Sequence, residues 1–285
     1  MIILVTTEKG KSYARRIQQS LRVFDQHSEI IKYNQLNSIN VQPPVSNRIL
    51  IHCRTASPRA LFINQLVELQ ERGCKVVNPP NILKLTSDKW ESWKKFKDFS
   101  GMPNTILLKT PDEFISKRSL IEALETPNVY VKPRISRGNG TNIFKVKKSE
   151  LSQFFQRNPM TYQVLIQEEL NIQAIYRVFV IGGRALEVVT RDIPSGERLL
   201  SVCLNKQQIA ILDPNPRLLD FAERIQQQID PTLQSINFID VFKVDEEYVL
   251  SEINTACNLT IHETLTKCCI SGYIAQHLSN LARRI

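Results

Sequence analysis

Short apolar runs alternate with amphipathic helical stretches along the first eighty residues, and this alternation constrains the fold more than any other feature of the chain. The predicted strands are residues 2–5, 29–33, 48–53 and 75–77. Between them, residues 12–24 and 59–72 space their apolar side chains as amphipathic helices do. Because strands that alternate with helices are typical of a parallel sheet, we expect a small α/β unit at the start of the chain.

The same patterns predict further elements along the chain. The fourth strand ends at the asparagine and prolines of residues 78–80. Helices are predicted over residues 88–100, 111–124 and 216–229, with a polar loop between residues 190 and 216 and a closing helix from about residue 264.

The composition is that of an ordinary globular protein, with 42% hydrophobic and 23% charged residues among 285. The first residues lack the pattern of a signal peptide, and no apolar run approaches the ~20 residues that span a membrane. We therefore expect a soluble, cytoplasmic protein. The six cysteines contain no C-x-x-C pair, which argues against a zinc ribbon or a dense disulfide framework. The net charge of +9 is compatible with anionic partners of several kinds.

Two strand-like runs near the C-terminus, residues 238–244 and 248–254, bring acidic side chains together. A turn at residues 245–247 would place Val244 opposite Tyr248, Phe242 opposite Leu250 and Asp240 opposite Glu252. Asn254 would then lie on the same face as Glu252. Carboxylate and amide oxygens of this kind suit Mg²⁺, for which Mn²⁺ could substitute. A register shifted by one residue would separate the two carboxylates and leave no metal site, and the sequence leaves both registers open.

A lysine at the end of a predicted strand, Lys132, precedes the glycine-bearing segment 136–140. Glycines allow backbone N–H groups to approach an anion, so this segment could cradle a phosphate. An ordinary hairpin turn explains it as well, and the Walker A pattern is absent. Arg177 begins another apolar strand and needs an anionic partner, for which a carboxylate within the chain is the more frequent choice.

In this order, the segments resemble the ATP-grasp superfamily, and most closely the RimK-type amino-acid ligases. The resemblance covers about residue 78 to the C-terminus, over two thirds of the chain. It rests on six ordered motifs: VNPP with SDK, VYVKPRISRGNG, LIQEEL, YRVFVIGGRALEVVTR, FIDVFKV and YVLSEINTACN. It also rests on the interval of 12 residues between Asp240 and Glu252 (252−240=12) that such enzymes show.

The resemblance implies an α/β and α+β fold, in which a small N-terminal α/β unit (the pre-ATP-grasp domain) precedes two α+β lobes that clasp ATP. The expected boundaries are residues 1–87 for the N-terminal domain, 88–166 for the central lobe and 167–285 for the C-terminal lobe with the Mg²⁺ site.

The resemblance also implies roles for individual residues. The phosphates of ATP would be contacted by Lys89 and Lys132, beneath a mobile loop of Ser136, Arg137, Gly138, Asn139 and Gly140. The adenine edge would be read, largely through the backbone, at Gln167, Glu168 and Glu169. The Mg²⁺ ligands would be Asp240, Glu252 and Asn254. The arginines facing the transferred phosphate or the acyl phosphate would be Arg177, Arg191 and Arg198.

The chain departs from the family pattern at two positions. Many relatives carry an acidic residue that binds the ribose two positions before the equivalent of Arg177, where this chain has Ile175; Asn171 or Gln173 could serve instead. RimK-type enzymes continue from the position of Arg198 into an Arg-x-Asn motif, but Leu200 stands at the Asn position. We therefore expect the substrate to differ from that of the RimK-type enzymes.

The expected activity is a ligase reaction that converts a carboxylate to an acyl phosphate with ATP and joins it to an amine of an amino acid, peptide or protein. Besides ATP and Mg²⁺, the expected partners are this carboxylate substrate and the amine acceptor, with no membrane. Nucleic acid as an anionic partner and a homo-oligomer both stay open. The alternative is a scaffold or nucleotide-binding protein with altered catalysis that docks an acidic peptide or nucleic acid.

Overall fold

The N-terminal residues form the predicted parallel sheet in the computed structural model, which describes residues 1–39, 48–53, 60–135, 142–159, 162–191, 208–256 and 259–285. The strands are β1 (Ile2–Thr6), β2 (Ser28–Lys32), β3 (Leu50–Cys53) and β4 (Lys75–Val77), in the order β2-β1-β3-β4. Helices α1 (Lys11–Val23) and α2 (Ala60–Glu71) connect them. Every residue of β1 is buried, as expected for a strand in the middle of a parallel sheet.

Two helices follow this sheet, and the first of them was not predicted. Helix α3 (Pro80–Ser87) begins at a proline that we had taken only as the end of a strand. Proline is favoured in the first helical turn because the N–H that it lacks has no partner there anyway. Helix α4 (Lys89–Ser100) begins directly afterwards, and Gly101 ends it in the left-handed conformation with φ +60°.

The central part of the chain forms an antiparallel sheet in the order β5-β8-β6-β7. Its elements are β5 (Thr105–Leu108), α5 (Glu113–Ser116), α6 (Arg118–Glu122), β6 (Asn128–Pro133), β7 (Phe144–Lys147), α7 (Leu151–Arg157) and β8 (Val164–Glu168). The single helix predicted over residues 111–124 is wrong. The chain leaves helical geometry at Lys117, whose ammonium group turns back to donate to the carbonyl oxygen of Leu107 at 2.7 Å.

The C-terminal part forms a second antiparallel sheet in the order β11-β10-β9-β12-β13. Its elements are β9 (Ile172–Ile181), β10 (Arg184–Arg191), β11 (Gln208–Ile211), α8 (Pro216–Ile229), β12 (Ile236–Val244), β13 (Glu247–Asn254), α9 (Leu259–Thr266) and α10 (Ile270–Ala282). We had assigned β11 to a polar loop, but it pairs with β10 at the edge of the sheet. The closing helix predicted from residue 264 is two helices, separated at residues 267–269.

Each face of this second sheet buries a different set of apolar side chains. One face packs Val178, Ile239 and Leu250 against helix α8. On the opposite face, Phe179 and Phe238 pack together with α10 and with α1 of the N-terminal unit. The N-terminal unit is thus joined to the sheet through a shared apolar core.

A buried asparagine adds a polar link between the same two units. Asn78, directly after β4, accepts a hydrogen bond from the backbone N–H of Ile236 (2.8 Å) and donates to the carbonyl oxygen of Ile236 (2.7 Å). This amide reproduces the hydrogen bonds of a paired strand at the start of β12. In the part of the chain that the structure describes, no helix is both long and apolar enough to cross a membrane.

Candidate functional site

The hairpin of β12 and β13 pairs Asp240 with Glu252, but the register differs from the predicted one near the turn. The turn contains two residues, 245 and 246, so that Phe242 lies opposite Val249 rather than Leu250. A β-bulge at Ser251 then adds one residue to β13 and restores the pairing of the two carboxylates. The predicted pairs next to the turn are wrong, and the predicted pair at the site is confirmed.

Arg177 in β9 lies directly opposite Asp240, and the two side chains form a buried ion pair. The Nε and Nη2 atoms of Arg177 donate to the two carboxylate oxygens of Asp240 at 2.6 Å each. The amide nitrogen of Asn254 donates to Oδ2 of Asp240 at 3.1 Å. The anionic partner that Arg177 requires is therefore a carboxylate of the chain itself, the alternative that the sequence had left open.

Lys89 forms the second ion pair of the site, with its Nζ atom 3.0 Å from Oε1 of Glu252. The lysine is the first residue of α4. A positive charge in the first turn is opposed by the helix macrodipole, so this position is unfavourable unless an anion lies nearby. Glu252 supplies that anion from the other side of the cleft.

Lys132, at the end of β6, lies in the same region and is partly buried. Its ammonium group donates to Oε1 of Gln167, and Nε2 of Gln167 donates in turn to the hydroxyl of Thr105 at 2.8 Å. Burial and, to a smaller extent, the nearby charge of Lys89 lower the pKa of Lys132 to about 8, and Glu252 opposes the shift. The lysine is thus held where an additional anion would stabilise its charged form.

The carboxylates of Glu168 and Glu169 bind protein groups. Glu168 accepts hydrogen bonds from the backbone N–H of Glu125 (2.6 Å) and the amide of Asn104 (3.0 Å). Glu169 accepts from Asn128 at 2.8 Å and forms an ion pair with a neighbouring lysine at 2.5 Å. Both side chains hold the segment between the two antiparallel sheets, which leaves its backbone as the surface that could contact a base.

These residues surround one cleft, with an empty volume of about 880 Å³ including its part open to solvent. Its polar lining includes Lys89, Lys132, Gln167, Glu168, Asp240 and Glu252. The structure therefore brings together six residues that the sequence assigned to the site. Arg177 and Asn254 bind Asp240 directly, although neither lines the cleft itself.

An apolar wall completes the cleft, and the sequence analysis did not predict it. It includes Pro103, Ile143, Leu170, Ile172, Ile175 and Phe242. Ile175 is 2% exposed, and its burial in this wall accounts for the apolar residue at that position. The proposed substitutes Asn171 and Gln173 are both exposed and do not line the cleft. Side-chain alternation along β9 was the feature of the sequence that indicated this wall, since Ile175 and Arg177 share one face of the strand.

A network at the start of α4 was also missed. The carboxylate of Asp88 accepts hydrogen bonds from the backbone N–H groups of Trp90 (3.0 Å) and Glu91 (3.2 Å), which makes it the N-cap of the helix. The same carboxylate forms an ion pair with Arg134 at 2.7 Å, and the N–H of Lys89 donates to the carbonyl oxygen of Arg134 at 3.1 Å. The network fixes Lys89 relative to the end of β6.

Several predicted site residues lie outside the described residues. These are the whole segment from Ser136 to Gly140, together with Arg198 and the side chain of Arg191, whose backbone ends β10. Their assignment rests on the resemblance alone.

The described residues include oxygen ligands for Mg²⁺, but they do not complete its coordination shell. Among them, no group of three or more acidic, histidine or cysteine side chains is placed to hold a metal ion. The paired carboxylates of Asp240 and Glu252, with the amide of Asn254 next to them, nevertheless fit an ion that takes most of its shell from water and phosphate oxygens.

Solved structures are similar to the chain over nearly its whole length. The D-cycloserine synthetase DcsG matches with a TM-score of 0.75 and 14% identity, over 99% of each chain. A RimK domain ATP-grasp protein from Sphaerobacter thermophilus DSM 20745 matches with a TM-score of 0.70 and 14% identity, over 97% of this chain and 99% of that one. The ATP-grasp ligase PsnB, complexed with precursor peptide PsnA2 and AMPPNP, matches with a TM-score of 0.70 and 14% identity, over 99% and 97%.

No protein-family model matches the sequence, and no curated protein matches it. At 14% identity, the likeness to these structures shows the fold. The chain has the fold of the ATP-grasp ligases, as its motifs predicted.

Proposed function

We propose that the protein is an ATP-dependent ligase that converts a substrate carboxylate to an acyl phosphate, couples it to an amine, and releases ADP and phosphate. The observation that carries the proposal is the convergence of Lys89 and Lys132 with the carboxylates of Asp240 and Glu252 in one cleft. Cations for phosphate and oxygen ligands for Mg²⁺ are the groups that phosphoryl transfer requires, since it depends mainly on positioning and charge.

In this proposal, each described residue binds or orients a reacting group. Lys89 and Lys132 bind the phosphates of ATP, and Asp240, Glu252 and Asn254 would hold Mg²⁺. When bound, Mg²⁺ supplies charge that neutralises the phosphate oxygens. The apolar wall excludes water from the base and sugar. Arg177 binds both oxygens of Asp240 and so orients this carboxylate.

The proposed substrates are a carboxylate and an amine from an amino acid, peptide or protein. PsnB has been solved with a precursor peptide and an ATP analogue, and also with a minimal precursor, Mg and ADP. DcsG, by contrast, is a D-cycloserine synthetase, so ligases of this fold differ in the size of their substrates. The segment around Arg198 and Leu200, where the sequence departs from the RimK-type motif, is the proposed origin of substrate choice.

The acyl phosphate can be tested with hydroxylamine as the amine. The protein would be incubated with Mg-ATP, hydroxylamine and a panel of amino acids and acidic peptides, and hydroxamate would be measured by mass spectrometry. For a positive substrate labelled with ¹⁸O in its carboxylate, we expect ¹⁸O in the released phosphate. Label in AMP instead would contradict the proposal, because it indicates an adenylate.

Site variants connect this activity to the cleft. We expect Lys132→Ala and Glu252→Gln to lower turnover by about a hundredfold or more, since each removes charge from the site of phosphoryl transfer. Glu247→Gln, at an exposed position of the same strand as Glu252, is the matched control and should keep full turnover. Full turnover in both site variants would show that the assigned site is wrong.

A second candidate is a scaffold or nucleotide-binding protein with altered catalysis that docks an acidic peptide or nucleic acid. The apolar Ile175 at the expected position of the ribose-binding acid favours it. Calorimetry with Mg-ATP distinguishes a scaffold that no longer binds nucleotide, since such a protein would give no heat of binding. Docking of a large anion would instead give an affinity that falls steeply with salt concentration.

A further inference from the structure

Each of the two carboxylates assigned to the metal is already paired with a cation of the chain. Arg177 donates to both oxygens of Asp240 at 2.6 Å, and Lys89 lies 3.0 Å from Glu252. The two pairs come from different elements, β9 and the start of α4. The charges of these two carboxylates are therefore balanced before any ligand arrives.

We propose that these two cations are counter-ions built into the metal site, and that Lys89 is exchanged for the metal when nucleotide binds. This inference rests on the proposed function. The phosphates take over Lys89, which releases the carboxylate of Glu252 to the metal, whereas Arg177 stays on Asp240. A metal ion that arrives alone must compete with Lys89 for Glu252, so it binds weakly without phosphates.

The position of Lys89 supports this exchange. As the first residue of a twelve-residue helix, it lies where the macrodipole favours anions and disfavours a lysine. The network of Asp88 and Arg134 nevertheless fixes its backbone at this point. Its side chain is 14% exposed and that of Glu252 33%, so both can exchange partners without unfolding of the surrounding structure.

The geometry of Asp240 assigns the exchange to Lys89 alone. Both oxygens of Asp240 accept hydrogen bonds from Arg177, and Oδ2 accepts a further one from Asn254. A bidentate pair of this kind is among the stronger interactions of a protein. Because Arg177 is buried and does not line the cleft, it stays on Asp240 when the phosphates arrive.

The proposal predicts that one substitution has opposite effects on two ligands. Lys89→Met removes the counter-ion of Glu252, so it should strengthen the binding of Mn²⁺ in the absence of nucleotide, by at least about fivefold. The same substitution should weaken the binding of Mg-AMPPNP, because it removes a phosphate contact. A lysine with a merely structural role would weaken both.

The experiment is a titration of Mn²⁺, followed by the paramagnetic resonance signal of the free ion, with no nucleotide present. Lys89→Met and Lys89→Gln should both bind Mn²⁺ more tightly than the wild type. Lys89→Arg keeps the charge and should behave as the wild type does. Lys94→Met, which removes the partner of Glu91 on the exposed side of the same helix, is the matched control and should not change Mn²⁺ affinity.

A double variant assigns the gain to the carboxylate, since Lys89→Met with Glu252→Gln should lose it. Unchanged or weaker Mn²⁺ binding in the folded Lys89→Met and Lys89→Gln variants would overturn the proposal. Calorimetry distinguishes this outcome from a failure of the proposed function itself. If the proposed function is wrong, the wild-type protein will show no binding of Mg-AMPPNP.

Discussion

The charge of Lys132 depends on its surroundings. Its side chain is partly buried at the end of β6, with Gln167 as its hydrogen-bond acceptor and Lys89 as a nearby like charge. Burial and this repulsion bring its pKa to about 8, well below the ordinary 10.5 of a lysine. The ammonium form therefore predominates at neutral pH and is lost in the mildly alkaline range.

The affinity for nucleotide should accordingly fall as the pH rises through 8. Because a neutral amine attracts phosphate less than an ammonium group does, we expect about tenfold weaker Mg-AMPPNP binding at pH 9 than at pH 7. Lys132→Arg keeps its charge over this range and should give a nearly flat profile, as measured by calorimetry at each pH. An equally steep decline in the arginine variant would assign the titration to another group.

The elements around the site show which parts of the structure the sequence can predict. The pairing of Asp240 with Glu252 followed from side-chain alternation, but two local departures compensate one another: the turn is one residue shorter than predicted, and the bulge at Ser251 is one residue longer. A left-handed residue in the turn, Asp245 with φ +50°, is hard to anticipate from an acidic triplet. The predicted pairing of Asp240 with Glu252 is nevertheless correct, because these two departures offset one another.

Features that depend on tertiary contacts could not be predicted. The partner of Arg177 lies 63 residues away, and that of Lys89 lies 163 residues away (252−89=163). The sequence indicated that such cations need anions, but not which ones. By contrast, strand β4 and helix α8 were predicted with their observed limits. Apolar side chains mark each element, and an asparagine or a proline marks one of its ends.

The start of α4 is the element that positions Lys89, and Arg134 binds its N-cap Asp88 from outside the helix. We expect Arg134→Met to weaken Mg-AMPPNP binding by about tenfold, because the ion pair with Asp88 that fixes the helix start is lost. Breaking this partly buried pair should also lower the free energy of unfolding by about 2 kcal/mol. Calorimetry and urea denaturation measure the two effects.

The matched control is Arg118→Met, which removes an exposed ion pair with Glu122 on α6. It should change neither quantity by more than about 0.5 kcal/mol. Asp88→Asn keeps an N-cap side chain but loses the charge, and it should fall between the control and Arg134→Met. Nucleotide affinity in Arg134→Met equal to that of the wild type would show that Lys89 needs no such support.

At the scale of the whole molecule, the N-terminal unit and the C-terminal sheet share a core through α1, α9 and α10. One charged group is enclosed at this junction. The carboxylate oxygens of Glu187, in β10, are shielded from solvent and meet no hydrogen bond of normal geometry among the described residues. Burial raises the pKa of Glu187 to about 7, the side chains of Thr266 and Cys268 offset part of the rise, and Glu263 adds to it.

The stability of the molecule should therefore decrease between mildly acidic and neutral pH. A carboxyl whose pKa is raised in the folded state, here from 4.5 to about 7, binds its proton more tightly when folded than when unfolded. The folded state is thus favoured at low pH and loses this advantage as the pH passes through 4.5 to 7. Glu187→Gln is neutral at every pH. The free energy of unfolding of the variant minus that of the wild type should therefore be larger at pH 8 than at pH 5, by about 1–2 kcal/mol.

Urea denaturation of both proteins at pH 5 and pH 8 measures this difference directly. Glu122→Gln, exposed on α6, is the control and should differ from the wild type equally at both pH values. A difference between Glu187→Gln and wild type that stays constant with pH would mean that the carboxyl titrates normally in the fold. A difference that grows with pH would locate the acid-stabilised contact at the junction of β10 with α9, where the N-terminal unit and the sheet meet.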